Sequence, residues 1–386
     1  MRNLYHWCLA VLASIIYGFP SHDVKVIGVT GTKGKSTTAF MIAKIFADQG
    51  LPIAMISSLG YRIKDQEWPN LLKMTMPGRF RLQQFIAKAR RAKCQYVVVE
   101  VTSEGIAQHR LVGVRVDCAV FTNLHKEHIE SHGGFEQYKE AKKVLFHKTK
   151  NIHVMNAENQ HSEEFLALPA MKKISFGMEH GDLKQNTLEL RLNLAGEFNI
   201  YNALAAMGVA HAYGLDSLKA KASVESIDRV PGRMEFVELG QPFEVVVDYA
   251  HTPESLEGVY QTLKPKNGKL IAVLGAAGGG RDTWKRPVFG ELADRYCDEI
   301  VLTNEDPYEE DPEKILNEIA SGIRTSKAKR IIDRREAIAT AIADAQVGDV
   351  VVITGKGSET SMAVAGGKHI PWSDLGVASE VLHMRS

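Results

Sequence analysis

VKVIGVTGTKGKSTT, Val24 to Thr38, reads as a buried strand, a glycine turn and the opening of a helix. Val24, Val26, Ile27 and Val29 supply the apolar run of the strand. Gly31-Thr32-Lys33-Gly34 makes the turn, and Lys35, Ser36 and Thr37 begin the helix. In this order the three pieces form a phosphate cradle. Backbone N–H groups point at the anion, the helix dipole favours its charge, and a lysine neutralises an oxygen. The Ser36 hydroxyl is placed to hold Mg²⁺. The general phosphate-loop pattern wants glycine five positions before Gly34, where this chain has Val29, so the turn is a compressed form, G-T-x-G-K-[ST]-[ST]. A glycine turn that only joins strand to helix needs none of Lys35, Ser36 and Thr37. Their presence directs the reading to ATP or GTP.

At 386 residues the chain has room for two or three domains. A formal net charge of +1 gives it no overall electrostatic footprint for nucleic acid or an anionic membrane. Cys8, Cys94, Cys118 and Cys297 are scattered without a CxxC pair, so they suggest neither a disulfide framework nor a zinc site. Cys118 alternates with Val116 and Val120 and reads as a core residue. A reducing cytoplasm fits this usage and the demand for ATP. Trp7 to Tyr17 is mostly apolar and resembles the central region of a signal peptide, but is too short to span a bilayer. The expectation is a short helix packed on the nucleotide domain. A peripheral membrane contact through residues 5–17 is the other reading.

Further along, the helix opened by Lys35 should run to about Asp48, with Ala39, Ile42, Ile45 and Phe46 on one face and Gly50 as a stop. Tyr96–Glu100 and Val116–Phe121 are strand candidates, and their apolar runs imply a parallel sheet covered on both faces. A polar stretch, Glu158 to Asn186, precedes a helix from about Asn199 to Tyr213. Val230-Pro231-Gly232 reads as a boundary. Beyond it, strands are expected at Glu244–Val247, Leu270–Leu274, Glu299–Thr303, Arg330–Ile332 and Val350–Thr354. The predicted fold class is α/β: an apolar leader helix over 1–22, a phosphate-loop domain with a mostly parallel sheet over 23–232, and a Rossmann-like α/β domain over 233–386. Ligands of such sheets bind at the carboxyl ends of the strands. Glu100 ends one of these strands and is a natural Mg²⁺ ligand beside a phosphate loop. The loop after the neighbouring strand brings His128 to the same edge as a second metal ligand.

Eleven segments together resemble the Mur ligases, the ATP-dependent amide-forming family of peptidoglycan synthesis, and within it the branch that adds the third amino acid to the stem peptide. They are GTKGKSTT, VVVEVTSEGIAQHR, DCAVFTNLHKEHIESHGG, YKEAKKVLF, GEFNIYNALAA, VPGRMEF, VDYAHTPESL, DTWKRP, NEDPYEEDP, DRREAI and GKGSE, in family order. The resemblance implies that Gly31 to Thr37 bind ATP, that Lys35 and Ser36 grip its phosphates and Mg²⁺, and that Glu100 and His128 hold a second Mg²⁺. Lys142 matches the family lysine that is carbamylated into an anionic oxygen ligand. Asn199 and Asn202 would approach the adenine, Arg233 the phosphates and Asp248 the ribose. Thr75, Thr102, Gln108 and Arg110 match positions that contact the muramoyl-peptide, while Arg286, Asp306, Gly355 and Glu359 match the pocket of the incoming amino acid. The implied reaction passes the γ-phosphoryl to a substrate carboxylate, giving an acyl phosphate that an amine attacks. Closure about Val230-Pro231-Gly232 would assemble the site.

Two departures from the family stand out. The phosphate-loop strand begins at Val24, which leaves no room for the family's uridine-binding N-terminal domain; the expectation is a substrate held by its peptide, a different carrier group, or a partner protein. The family's diaminopimelate loop reads D-N-P-R, whereas this chain has Glu305-Asp306-Pro307-Tyr308. Tyrosine in place of the arginine disfavours diaminopimelate, because an unpaired buried carboxylate is costly. Thr102-Ser103-Glu104 likewise replaces the family's S-S-H. A poly-amino-acid or folylpolyglutamate-type ligase, and a nucleotide-binding scaffold without catalysis, are the competing readings.

Overall fold

The computed structural model describes residues 2–71, 74–125, 133–280, 282–325 and 328–385. The chain divides into two compact units, Met1–Asp228 and Arg229–Ser386.

The first unit is built on a nine-stranded sheet. In chain order the strands are β1 (Lys25–Thr30), β2 (Ile53–Ser57), β3 (Gly60–Ile63), β4 (Gln66–Trp68), β5 (Tyr96–Glu100), β6 (Val116–Phe121), β7 (Ile152–Asn156), β8 (Lys172–Gly177) and β9 (Leu183–Lys184). Their spatial order is β4-β3-β2-β5-β1-β6-β7-β8-β9. From β2 across to β9 every pairing is parallel, and only β3, paired antiparallel with both β2 and β4, runs against the others. β1 lies at the centre, flanked by β5 and β6, with Val29 in register with Glu100 and Thr30 with Phe121. β1, β5 and β6 therefore end side by side at one edge. Val26, Ile27, Val29, Val97, Val98 and Val99 are fully buried, as continuous apolar strands between two helical layers must be. Gly28 is part of the design: a Cβ there would sit 3.2 Å from Leu145 Cδ1, so glycine lets the helix Phe135–Lys148 lie close on the sheet.

The expected helix Lys35–Asp48 is present, as is Glu197–Ala212. Cys118 is fully buried, as its alternation implied. The polar stretch Glu158 to Asn186 contains β8 and β9, which composition hid. The N-terminal helix runs Arg2–Ile16. An aromatic stack fixes the rear of β6: the Phe121 and Phe165 rings lie parallel at 4.0 Å, with Phe146 edge-on to Phe165 at 5.3 Å.

In the second unit a six-stranded sheet has the order β10-β11-β15-β12-β13-β14, formed by Glu235–Phe236, Glu244–Asp248, Val350–Thr354, Leu270–Leu274, Glu299–Leu302 and Ala328–Arg330 respectively. All pairings are parallel except that of β10. β16 (Ser361–Val364) and β17 (Lys368–Pro371) form a separate hairpin. The expected strand at Arg330–Ile332 lies two residues earlier, because at an exposed sheet edge burial does not fix the register. One face of the sheet packs on the helices Arg334–Asp344 and Asp374–Arg385, through Ile338, Ala341, Ile342, Val377 and Leu382.

Truncating Phe165 to alanine removes the ring under Phe121 without touching the sheet edge. Urea unfolding should show a loss of about 3–5 kcal/mol.

Candidate active site

The turn Gly31–Gly34 joins β1 to the helix Lys35–Asp48 and is pinned from β6. Thr32 N donates to Asn123 O at 2.9 Å, and Lys33 N donates to Asn123 Oδ1 at 2.8 Å. In return Thr122 Oγ1 and Asn123 Nδ2 donate to Lys33 O at 2.6 and 3.2 Å. The glycines are obligatory. Gly31 has φ 154° and a Cβ there would lie 1.9 Å from Thr122 Oγ1; Gly34 has φ 77° and a Cβ would lie 2.1 Å from Asn202 Oδ1. The helix begins on Gly34 with no side-chain cap, so its first N–H groups face the edge as anion donors. Lys35 Nζ donates to Thr32 O at 2.8 Å, which folds the ammonium back over the turn.

Oxygen donors gather beside it. Ser36 Oγ is 2.7 Å from Ser58 Oγ, and Ser58 N donates to Glu100 Oε2 at 2.9 Å. Glu100, 2% exposed, closes β5 as expected. Ser58 follows β2 and escaped the sequence reading because β2 itself did. Lys142 is buried under the turn, its Nζ donating to Gly31 O at 2.8 Å and lying 4.4 Å from the centre of the Tyr138 ring. Tyr138 OH is 3.1 Å from Thr32 Oγ1. His128 falls outside the described residues. A cradle whose glycines leave no space for a Cβ, a lysine over it and two oxygen-bearing side chains at its rim together fit a nucleotide phosphate and a hard divalent cation.

Asn199 and Asn202 lie on the helix Glu197–Ala212. Asn202 Oδ1 accepts from Thr38 Oγ1 at 3.3 Å and Asn202 Nδ2 donates to Asn199 Oδ1 at 3.2 Å, so the pair abuts the phosphate-loop helix. Past Glu100 the chain builds a cationic corner. Thr102 caps the helix Ser103–Ala107 by accepting from Gly105 N. Gln108 Oε1 accepts from Arg110 Nη2 at 2.8 Å, Arg110 Nη1 donates to Met76 O, and Arg79 Nη2 donates to Gln108 O at 2.7 Å. Thr75 adjoins Met76 and is half-buried. Thr102, Gln108 and Arg110 thus come together, with Arg79 as a second guanidinium that no motif flagged. Burial, and secondarily the Arg79 charge, lower the pKa of Arg110.

Within the second unit Arg233 lies over the Tyr249 ring, 4.1 Å from its centre. Asp248 accepts from Met234 N and Ala250 N, both at 2.7 Å, so its carboxylate organises the loop that carries Arg233. Asp306 and Glu359 converge on Lys356, which the motif reading passed over. Its Nζ, on a fully buried side chain, lies 2.9 Å from Asp306 Oδ1 and 2.5 Å from Glu359 Oε2. The chain itself thus supplies an ammonium opposite Glu359. Burial opposes that ammonium, but Glu359 and Asp306 outweigh it and raise its pKa. Gly355 adjoins Glu305, whose carboxyl is pushed up to about 7 by burial and then by Asp306. Arg286 is 1% exposed and its Nη1 is held by Glu310 and Glu318 at 2.9 and 2.6 Å. The glycine run Gly275–Gly280 is a tight turn against the Asp306 loop, with Gly278 N donating to Asp306 O at 2.7 Å.

A parallel sheet whose central strand delivers a glycine turn, a lysine and oxygen donors at its carboxyl edge defines a phosphate-loop enzyme. Sequence comparison narrows the class. The Mur ligase middle domain matches residues 29–210, and the Mur ligase glutamate ligase domain matches 232–357. A UDP-N-acetylmuramyl-tripeptide synthetase of Roseiflexus sp. (strain RS-1) is 36% identical, the alignment covering 97% of this chain and 81% of the relative. A UDP-N-acetylmuramoyl-L-alanyl-D-glutamate--2,6-diaminopimelate ligase of Syntrophomonas wolfei has the same identity and coverage. A solved structure of a ligase with that activity in its title superposes with TM-score 0.61 at 30% identity, covering 94% of this chain and 79% of its own. A folylpolyglutamate synthase of Mycobacterium tuberculosis shares the fold, with TM-score 0.73 at 18% identity and coverage of 90% and 92%. The chain belongs to the Mur ligase family, whose members are ATP-dependent acid–amino acid ligases.

Gly34→Ala should weaken nucleotide binding by about tenfold or more and lower stability by roughly 1–2 kcal/mol, because the Cβ displaces Asn202 and strains a left-handed backbone. Calorimetric titration with ADP and a thermal melt check the two effects. A second expectation concerns Glu305. A carboxyl whose folded pKa lies above its unfolded value makes stability fall as pH rises from the ordinary carboxyl range towards 7, with no further loss above. Glu305→Gln should remove roughly 1–3 kcal/mol of that decline between pH 5 and pH 8 in chemical denaturation.

Proposed function

We propose that this chain is an ATP- and Mg²⁺-dependent ligase that joins a free amino acid to the carboxylate of a muramoyl-peptide-type substrate in peptidoglycan synthesis, acting where ATP is supplied, in the cytoplasm. The observation that carries this reading is the cradle: Lys35 over a turn with no room for a Cβ, with Ser36 and Glu100 linked through Ser58 at its rim. Bound ATP would supply the phosphoryl group that turns a carboxylate into an acyl phosphate, and Mg²⁺ would neutralise the charge in transit. The chain's own groups bind and orient. Lys35 and the uncapped helix start hold phosphate oxygens, while Ser36 and Glu100 offer hard oxygen donors. Lys142 adjoins them, and carbamylation of its amine would exchange the bond to Gly31 O for an anionic oxygen ligand.

Arg110 and Arg79 present two planar forks suited to the carboxylates of a peptide substrate. In the second unit Asp306, Lys356 and Glu359 form a buried set of both signs, the chemistry that a free amino acid's ammonium and carboxylate require. The relatives named as diaminopimelate ligases suggest a diamino acid. Tyr308, 40% exposed at φ 51°, takes the place of the arginine that would meet a distal carboxylate, which favours lysine or another diamino acid lacking that group.

Lys35→Ala should abolish amino-acid-dependent ADP release from UDP-linked muramoyl-dipeptide while leaving the thermal midpoint within a few degrees of wild type. Wild-type turnover in that variant would refute the assigned cradle. A screen of amino acids with mass detection of the product identifies the amine.

A further inference from the structure

A net charge of +1 conceals an uneven surface. The helix Arg2–Ile16 packs by its small side: Ala10 and Ala13 are buried, and Ser14 Oγ accepts from Gln83 Nε2 at 3.0 Å. Its large apolar residues face outward. Leu4, Tyr5, Trp7, Leu12, Ile15 and Ile16 are each 47–65% exposed. At 100° per residue these positions, with the exposed Cys8, cover about half of the helix circumference. Ordinary surface helices do the reverse, burying the large apolar side chains and showing charge. Here no Asp, Glu, Lys or Arg occurs from Asn3 to His22.

The charge lies next door. The helix Arg79–Arg91 runs alongside, bonded at Gln83 to Ser14, and at its far end Arg90 Nη1 donates to Gly18 O at 3.4 Å. With Lys93 it carries six cations, namely Arg79, Arg81, Lys88, Arg90, Arg91 and Lys93, and no carboxylate. Arg81, Lys88, Arg91 and Lys93 are exposed. Where the apolar helix ends, a cleft of about 650 Å³ opens, lined by Lys25, Arg90, Lys93 and Arg115 among others. Its two carboxylates are already engaged: Asp23 pairs with Arg90 at 3.1 Å, and Asp117 accepts from Tyr213 OH at 2.7 Å and Asn151 Nδ2 at 2.9 Å. The remaining cations face the cleft.

We propose that this surface docks on an anionic lipid bilayer. The helix Arg2–Ile16 lies in the plane of the interface with Trp7 and Tyr5 at headgroup level, and Arg81, Lys88, Arg91, Lys93 and the other cations of the cleft meet lipid phosphates. A broad apolar stripe with amphipathic aromatics and flanking Lys and Arg is the composition that interfacial helices use. A second copy of the chain fits the same face poorly, because apolar packing would bring two all-cationic helices together. No helix among the described residues is long and apolar enough to cross a membrane, so the association is peripheral. It would hold the ligase at a bilayer surface without altering the chemistry of the cradle.

The test is flotation of the full chain with vesicles of phosphatidylcholine alone or mixed with phosphatidylglycerol. The wild type should float with the anionic vesicles and stay behind with the neutral ones, and its tryptophan emission should shift to the blue. Trp7→Phe should remove the shift. The double variants Leu12→Glu/Ile16→Glu and Lys88→Glu/Arg91→Glu should each reduce the bound fraction by about tenfold or more, while ADP formation and the thermal midpoint stay at wild-type values. Wild-type protein that ignores anionic vesicles, or binding that neither double variant weakens, overturns the proposal. So does a dimer in sedimentation velocity that Leu12→Glu/Ile16→Glu dissolves, since that would assign the face to a second copy.

Discussion

The first unit's site depends on how two residues after β6 hold the turn after β1. Thr122 and Asn123 give and receive four hydrogen bonds with Thr32 and Lys33, all between 2.6 and 3.2 Å. A glycine turn left to itself samples many conformations, and fixing it costs on the order of 1–2 kcal/mol per residue. Buried hydrogen bonds from a neighbouring parallel strand offset that cost once the sheet exists. The same contact explains why glycine is required at Gly31: the clasping Thr122 hydroxyl occupies the space that a side chain would need. From below, Lys142 adds a fifth hold on the turn through Gly31 O. Gly28 lets the helix bearing Lys142 come close enough to do so.

The second unit organises charge instead of backbone. Lys356, Asp306, Glu305 and Glu359 sit together with little exposure, and Arg334 is fully buried in a paired bond with Asp374 at 2.7 and 2.8 Å. Buried ions cost desolvation unless each finds opposite charge and donors. Lys356 meets two carboxylates, and Arg334 adds the carbonyls of Asn304 and Thr354. Glu305 is pushed towards neutrality, since burial and Asp306 together outweigh the cations nearby. A pocket of this kind keeps its groups fixed before any ligand arrives, which limits the ordering cost of binding.

Much of this was legible in the sequence where burial is complete on both faces. Tyr96–Glu100, Val116–Phe121, Leu270–Leu274 and Val350–Thr354 appear with the boundaries expected, because a strand covered on both sides must be apolar throughout. β7 escaped notice because His153 and Asn156 break its run. His153 is nonetheless fully buried, its pKa lowered mainly by burial, and its ring hydrogen-bonds Phe146 O and Thr149 O. β3 and β4 are only four and three residues long, β4 is exposed throughout, and nothing local distinguishes them from loop. In the site, Lys35, Ser36 and Glu100 were readable from their positions at strand and helix ends. Ser58, Arg79 and Lys356 were not, since each acquires its role from a partner 29 to 50 positions distant. Arg286 carried a motif match, and its guanidinium is buried and bonded to Glu310 and Glu318.

The pairing of Val29 with Glu100 has a consequence for assembly. Side chains on a strand alternate between faces, so a slip of one residue between β1 and β5 would set Val99 beside Val29 and turn the carboxylate away from the cradle that β1 delivers. The rim is complete only when β2, β5, β1 and β6, which together span Lys25 to Phe121, have all settled in their final alignment. Competence to handle nucleotide therefore requires all four strands to share one alignment, so a sheet that is compact but misaligned would lack it.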